Sequence, residues 1–120
     1  MKRRSLRKFS APSSKDHHHV YVVLLDEKVK TMRKVQRLNP SGDHAKPCVY
    51  VGMTGLTPEE RFANHKAGIK ASGFVERYGV RLLPELYEHL NPMPYDAAAQ
   101  MEQDLTDDLR AEGYFVVGGH

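Results

Sequence analysis

The pattern of hydrophobic and polar positions predicts short strands that alternate with helices. A β-branched and aromatic run at Val20–Leu25 is long enough for a buried strand, and a second strand is predicted at Cys48–Met53. Residues 26–46 between them are polar and basic, which indicates a long connection with a helical turn around Lys30–Leu38. Shorter extended segments are predicted at 80–83, 86–87 and 114–117.

The second half of the chain also contains helix signals. Thr57 can cap a helix in which Pro58 takes the first position and Glu60 completes a capping box. Helices are expected at about 57–67, 72–78 and 96–112. The last has an apolar stripe of residues spaced three or four apart: Ala98, Met101, Leu105 and Leu109. This order of elements predicts an α+β domain, in which helices flank a small, mainly antiparallel sheet of three or four strands.

Charge is distributed unevenly along the chain. The 120 residues carry a formal net charge of +3, yet residues 1–46 hold 12 basic and 4 acidic side chains, whereas residues 47–120 hold 6 and 11. Residues 1–16 mix basic side chains with Ser and Pro, which predicts a flexible basic arm before a single domain at 17–120. A basic front half favours a polyanionic partner such as nucleic acid.

Several classes of protein are excluded by composition. The longest uninterrupted apolar run, residues 20–25, is far shorter than the roughly 20 residues that a membrane helix needs. The charged N-terminus is not followed by the apolar segment of a signal peptide. A single cysteine, Cys48, excludes an intramolecular disulfide framework and a zinc site built from several cysteines. We therefore expect a cytoplasmic protein with no membrane partner.

Two tyrosines in the early strands are the first candidates for chemistry. If the strands pair as an antiparallel hairpin, alternation sets Tyr21 and Tyr50 on one face of the sheet. Gly52 lies on the same face as Tyr50, and its missing side chain would let a ligand or a helix approach closely. Valines would fill the other face: Val20, Val22, Val49 and Val51. The alternative is that both tyrosines are there because tyrosine favours strands.

Two helical positions add further candidates. Arg61 and His65 are four residues apart on the capped helix and so share a face. Arginine matches phosphate oxygens, and histidine can transfer a proton near neutral pH. Glu102 falls on or beside the apolar stripe, where a carboxylate is costly unless it is paired or binds a metal. A solvated helix face, or a lone carboxylate at the edge of a stripe, remains the alternative for each.

Taken in order, these residues resemble the GIY-YIG nuclease domain. The family's first tyrosine corresponds to Tyr21, its Tyr-Ile-Gly to Tyr50-Val51-Gly52, its helical Arg-x-x-x-His to Arg61 and His65, and its metal-binding glutamate to Glu102. The resemblance covers about residues 20–117. His19 stands where the family has its first glycine, and no asparagine follows the last helix.

The resemblance implies a metal-dependent endonuclease that hydrolyses phosphodiester bonds in DNA with one divalent ion, Mg²⁺ or Mn²⁺. Glu102 would hold the metal, since Mg²⁺ is often bound by one carboxylate together with substrate phosphate. Tyr21 would be the general base, and Tyr50 would orient the attacking water or the phosphate. Arg61 would neutralise charge on the phosphoryl oxygens. His65 would relay a proton or hold Tyr50.

Substrate contacts are expected outside this catalytic set. Gly52 and Lys66 would lie next to the substrate, and the basic connection would supply phosphate contacts through Arg33, Lys34 and Arg37. An alternative from a different class of protein remains: a non-catalytic module that has the same fold and binds nucleic acid. A protein that attaches to membrane surfaces through its basic arm is a weaker alternative, because Leu6 and Phe9 are the arm's only large apolar anchors.

Overall fold

The computed structural model describes residues 16–118. Except for Asp16, the predicted basic arm lies outside the described residues. Within them, the strands are β1 (His19–Leu25), β2 (Cys48–Thr54), β3 (Gly79–Leu82) and β4 (Phe115–Gly118). The helices are α1 (Arg33–Leu38), α2 (Pro58–Lys66), α3 (Gly73–Tyr78) and α4 (Tyr95–Ala111). Short 3-10 turns occur at Glu27–Thr31, Pro84–Leu86 and Glu88–Leu90. No helix in this part of the chain is both long and apolar enough to cross a bilayer.

The four strands form one sheet in the order β3-β1-β2-β4. β1 pairs antiparallel with both β2 and β3, whereas β4 joins β2 in parallel. The predicted α+β class with a small, mainly antiparallel sheet is therefore confirmed. In the β1–β2 register, Tyr21 lies opposite Gly52 and Val23 opposite Tyr50, so both tyrosines occupy the same face as predicted.

Helix α2 begins as its sequence predicts. The Thr57 hydroxyl accepts a hydrogen bond from the Glu60 N–H at 3.1 Å, and the Glu60 carboxylate accepts one from the Thr57 N–H at 3.0 Å. These local bonds fix the helix and place Arg61 and His65 one turn apart. His65 is buried and Arg61 is half-buried, so this face of α2 points toward the sheet rather than into solvent.

Helix α4 carries the predicted apolar stripe on its buried face. All four stripe residues are buried: Ala98, Met101, Leu105 and Leu109. Glu102 follows Met101 and is half-buried, at the margin of the stripe. The predicted location of this carboxylate, on or beside the apolar stripe, is confirmed.

The prediction of an extended segment at 86–87 is wrong. Pro84 begins a 3-10 turn, in which the Leu86 N–H donates to the Leu83 carbonyl and the Tyr87 N–H to the Pro84 carbonyl, each at 3.0 Å. Beside β1, the Asn91 side chain makes hydrogen bonds that a longer neighbouring strand would otherwise make. Its amide accepts from the Val20 N–H at 2.9 Å and donates to the Val20 carbonyl at 2.8 Å.

The long connection covers the other edge of the sheet. Asn39, at the end of α1, is buried, and its side chain accepts from the Val116 N–H at 2.8 Å and donates to the Val116 carbonyl at 3.0 Å. Arg110 of α4 donates to both the Asn39 amide oxygen and the Val116 carbonyl. The connection is therefore hydrogen-bonded to β4 and α4.

Candidate active site

A tyrosine–histidine hydrogen bond lies at the centre of the candidate site. The Tyr21 hydroxyl and His65 Nε2 are 2.8 Å apart, and the two side chains are 1% and 0% exposed. Tyr50, which is half-buried, packs against both: its ring centroid lies 6.1 Å from that of Tyr21 and 5.7 Å from that of His65. Residues from β1, β2 and α2 thus meet on one face of the sheet.

The hydrogen bonds of His65 determine its protonation. The Ser72 backbone N–H, which can only donate, points at His65 Nδ1 from 3.0 Å. Nδ1 is therefore the unprotonated nitrogen, and in the neutral ring Nε2 carries the hydrogen and donates it to the Tyr21 oxygen. Burial, aided by the positive charge of Arg61, lowers the pKa of His65 to about 4. His65 is consequently a neutral hydrogen-bond donor at neutral pH, and its hydrogen bond goes to Tyr21 rather than to Tyr50.

Arg61 brings the positive charge of the site. Its guanidinium donates to the carbonyls of Ile69 at 3.3 Å and Lys70 at 2.8 Å, which holds it against the loop after α2. It lies close enough to the two phenols for its charge to lower the pKa of both Tyr21 and Tyr50. A fixed guanidinium beside two hydroxyl groups can stabilise negative charge that develops there.

Both phenols are nonetheless harder to ionise than free tyrosine. Burial is the largest influence and raises the pKa of Tyr21 and of Tyr50 above the ordinary value of 10.0. The neighbouring Tyr50 adds to the increase at Tyr21. The Glu102 carboxylate adds to it at Tyr50, where hydrogen bonding with Tyr21 and Ser72 acts in the opposite direction. At neutral pH both hydroxyl groups are therefore protonated.

The Glu102 carboxylate lies within electrostatic range of the Tyr50 phenol. Its charge acts on the Tyr50 phenol from α4, so the fourth element of the site is the helix predicted to carry the carboxylate. Residues 16–118 contain no group of three or more His, Cys, Asp or Glu side chains that could hold a metal ion. One carboxylate suits Mg²⁺, which keeps several waters and takes further oxygens from substrate phosphate. The donor set therefore fits a metal bound together with substrate.

Glycine allows the tyrosines to pack this closely. A Cβ atom at Gly52 would lie 2.6 Å from the Tyr21 hydroxyl oxygen and 2.9 Å from Cε1 of Tyr50. At Gly118, whose φ is +75°, it would lie 2.6 Å from Cε2 of Tyr50. The space above Gly52, which the sequence predicted to be open to a ligand or helix, is filled by the Tyr21 phenol.

The predicted substrate contacts lie apart from this cluster. The Lys66 ammonium donates to three carbonyls around the end of α3, those of Val75, Glu76 and Gly79, at 3.0–3.4 Å. Arg33, Lys34 and Arg37 are exposed on α1, and the Lys34 ammonium lies 5.3 Å from the centre of the Phe74 ring. Lys66 thus caps carbonyls at the end of α3, whereas the three residues of α1 present their charges to solvent.

Ser72 is a member of the site that the sequence did not reveal. Its N–H donates to Nδ1 of His65, and its side chain is close enough to the Tyr50 phenol to lower the pKa of that phenol. The only local sequence signal is its place as the N-cap of α3, a position that serine commonly fills. That position gives no indication of a contact with α2 or β2.

Comparisons with protein-family models, with curated proteins and with solved structures found no match. The geometry of the chain's own residues is therefore the basis for assigning a function.

Proposed function

We propose that this protein is a metal-dependent endonuclease that hydrolyses phosphodiester bonds in DNA through a site of the GIY-YIG type. The observation that carries the proposal is the cluster of Tyr21, Tyr50, Arg61 and His65 on one face of the sheet, with the Glu102 carboxylate within electrostatic range of Tyr50. These residues are spread over more than 80 positions of the chain and come from four elements. A structural role for each alone would not require two phenols, a guanidinium and a carboxylate in one place.

Glu102 is the residue that would hold the divalent ion. When bound, Mg²⁺ or Mn²⁺ supplies positive charge for the phosphoryl oxygens and promotes ionisation of nearby oxygen acids. Arg61 is suited to stabilise charge that grows on the phosphate in the transition state, since its guanidinium is already fixed by two carbonyls.

Tyr50 is better placed than Tyr21 to act on the attacking water. Tyr21 is almost fully buried, whereas Tyr50 is half-buried and so reaches solvent. The direction of the hydrogen bonds supports the same assignment: His65 donates to the Tyr21 oxygen, which leaves the Tyr21 hydroxyl proton free to stabilise an ionised Tyr50. In this arrangement Tyr50 would first lose its own phenolic proton to solvent, and the resulting phenolate would then remove the proton from the attacking water; Tyr21 and His65 are positioning residues. The roles of the two tyrosines are exchanged relative to those that the family resemblance implies.

The proposal is tested by cleavage of plasmid, branched and single-stranded DNA in Mg²⁺. Glu102→Gln and Arg61→Ala should each reduce the cleavage rate by about 100-fold or more, with unchanged far-ultraviolet circular dichroism. Asp107→Asn is the matched control, since it removes an exposed carboxylate from the same helix. The assignment is wrong if Glu102→Gln and Arg61→Ala cut as fast as the wild-type protein.

A second pair of variants separates the two tyrosines. Tyr50→Phe should abolish cleavage, whereas Tyr21→Phe should retain part of it, because it removes a hydrogen-bond donor to the base and not the base itself. The measurement is the single-turnover rate against pH. Equal loss in both variants, or the larger loss in Tyr21→Phe, would restore Tyr21 as the general base.

One observation favours a non-catalytic nucleic-acid-binding module as the second candidate. Both phenols have a raised pKa, so the site has no ionised tyrosine at neutral pH without an added cation. DNA binding that persists in EDTA, with no cleavage of any substrate in Mg²⁺ or Mn²⁺, would identify the protein as such a module.

A further inference from the structure

A cavity lined by several polar side chains lies away from the candidate active site. It has a volume of about 220 Å³ and is formed where the start of α2 meets β1 and the 3-10 turns before α4. The residues that matter for its chemistry are His19, Glu59, Tyr87 and Glu88. None of Tyr21, Tyr50, Arg61, His65 and Glu102 lines it.

Two buried polar atoms at this cavity lack hydrogen-bond partners. Tyr87 is 2% exposed, yet its hydroxyl oxygen has no partner, and neither does Nδ1 of His19. A buried polar group without a partner is unfavourable, and such groups are uncommon in folded proteins. Their occurrence together on one cavity indicates a ligand that supplies hydrogen bonds.

The cavity is also negatively charged. Glu59 and Glu88 line it, and both are exposed. Burial raises the pKa of Tyr87 to about 12, and the negative charges of Glu59, Glu88 and Glu85 contribute to the increase, which puts these carboxylates within electrostatic reach of the phenol. Among residues 16–118, no cationic side chain forms an ion pair with Glu59 or Glu88.

We propose that this cavity binds a guanidinium group, with Glu59 and Glu88 as its counter-charges and the Tyr87 hydroxyl as a buried acceptor. A guanidinium presents five N–H donors in one plane and can therefore serve two carboxylates and a phenol oxygen at once. The volume is smaller than that of pockets for drug-sized ligands, about 300–1,000 Å³, and suits a group the size of a side chain. A bare metal ion fits less well, since no described cluster of His, Cys, Asp or Glu is arranged to hold one. The inference does not depend on nuclease activity.

The guanidinium can belong to a peptide or to a free small molecule. Because the rim is acidic, a ligand with its own carboxylate should bind more weakly than one without. The probes are therefore N-acetyl-L-arginine amide, which mimics a side chain in a peptide, and L-arginine. N-acetyl-L-citrulline amide, which has nearly the same shape and no charge, is the control ligand.

Binding is measured on the full chain by isothermal titration calorimetry and by NMR. We expect saturable one-to-one binding of the arginine amide, at least about tenfold tighter than that of the citrulline amide. If L-arginine binds more weakly than the arginine amide, a peptide is the favoured source of the guanidinium. If L-arginine binds more tightly, a free small molecule is favoured. Equal affinity for the arginine and citrulline amides, or no saturable binding of either guanidinium probe, would overturn the proposal.

Variants locate the site on the molecule. Glu59→Gln and Glu88→Gln should each weaken binding of the arginine amide by about tenfold. Glu112→Gln, which removes an exposed carboxylate outside the cavity, should leave it unchanged. Tyr87→Phe should weaken binding without lowering the melting temperature, because the hydroxyl lacks a partner in the free protein. Unchanged affinity in both Glu variants would show that the probe binds elsewhere.

Discussion

At the scale of single residues, His65 contacts three other residues of the candidate site, Tyr21, Tyr50 and Ser72. One ring nitrogen accepts from the Ser72 N–H, the other bonds to Tyr21, and the ring packs edge-on against Tyr50. Protonation would place two donors, Nδ1–H and the Ser72 N–H, against each other. The neutral form of His65 is thus required by the same contacts that hold the tyrosines in position.

This arrangement makes stability depend on pH. The pKa of His65 is about 4 in the folded protein, below its ordinary value of 6.5, so the unfolded chain takes up a proton first as the pH falls. The contribution of neutral His65 to the free energy of unfolding is complete above pH 6.5. It is lost between pH 6.5 and 4, by up to about 3 kcal/mol. We expect the difference in free energy of unfolding between wild type and His65→Gln to shrink over this window. Parallel curves in urea unfolding at each pH would contradict it.

Gly52 gives a prediction about packing. Gly52→Ala introduces a Cβ atom 2.6 Å from the Tyr21 oxygen, and the tyrosine must move. The free energy of unfolding should fall by about 1–3 kcal/mol. Gly73→Ala is the matched control, since a Cβ atom there meets nothing within 4 Å and should be neutral or stabilise by up to about 1 kcal/mol. Equal effects of the two substitutions in chemical denaturation would show that the phenol has room to shift.

Only some features of the site can be predicted from the sequence. The alternation of β1 and β2 and the spacing of Arg61 and His65 are local, so these positions follow from the periods of strands and helices. The Ser72 bond to His65 and the filling of the space above Gly52 arise from tertiary packing. No spacing in the chain indicates them.

At the scale of elements, two asparagine side chains make backbone hydrogen bonds of the kind that a neighbouring strand would make. Asn39 bonds to both backbone groups of Val116, and Asn91 does the same for Val20. The sequence predicts the four strands that form the sheet but not these side-chain hydrogen bonds, because an asparagine in a turn-rich segment is ordinarily read as a turn residue. The error at 86–87 has a similar origin: an apolar pair after Pro84 resembles a strand, while its backbone turns.

Asn39→Ala tests how much the hydrogen bonds of the Asn39 side chain contribute to stability. The substitution leaves the Val116 N–H and carbonyl without the Asn39 amide, and the free energy of unfolding should fall by about 2–4 kcal/mol. Ser41→Ala, at an exposed position in the same connection, should change it by less than about 0.5 kcal/mol. Urea unfolding measures both, and a loss for Asn39→Ala no larger than for Ser41→Ala would contradict the prediction.

At the scale of the whole molecule, charge and candidate chemistry occupy different parts of the chain. The exposed basic residues of α1 lie in the front half, whereas Tyr50, Arg61, His65 and Glu102 lie in the acidic back half. Residues 1–15, whose six basic side chains are expected to strengthen binding, lie outside the described residues. If the protein acts on DNA, affinity and cleavage should therefore be separable by mutation.

The separation is tested by the salt dependence of DNA binding. Arg33→Gln with Arg37→Gln should reduce the slope of log affinity against log salt by about 0.9 for each phosphate that the protein no longer neutralises. Single-turnover cleavage at saturating protein should change little, because neither residue belongs to the candidate site. Arg81→Gln, an exposed change on β3, provides the comparison. A double variant that binds normally but does not cut would reverse this division.

The contact between the connection and β4 has a consequence for engineering and for self-association. A minimal domain made by shortening residues 26–46 would remove Asn39 and leave the outer edge of β4 with unpaired backbone groups. Such an edge can template pairing with another chain. The connection therefore covers this edge of the sheet, and we expect a shortened protein to form dimers or larger aggregates as its concentration rises.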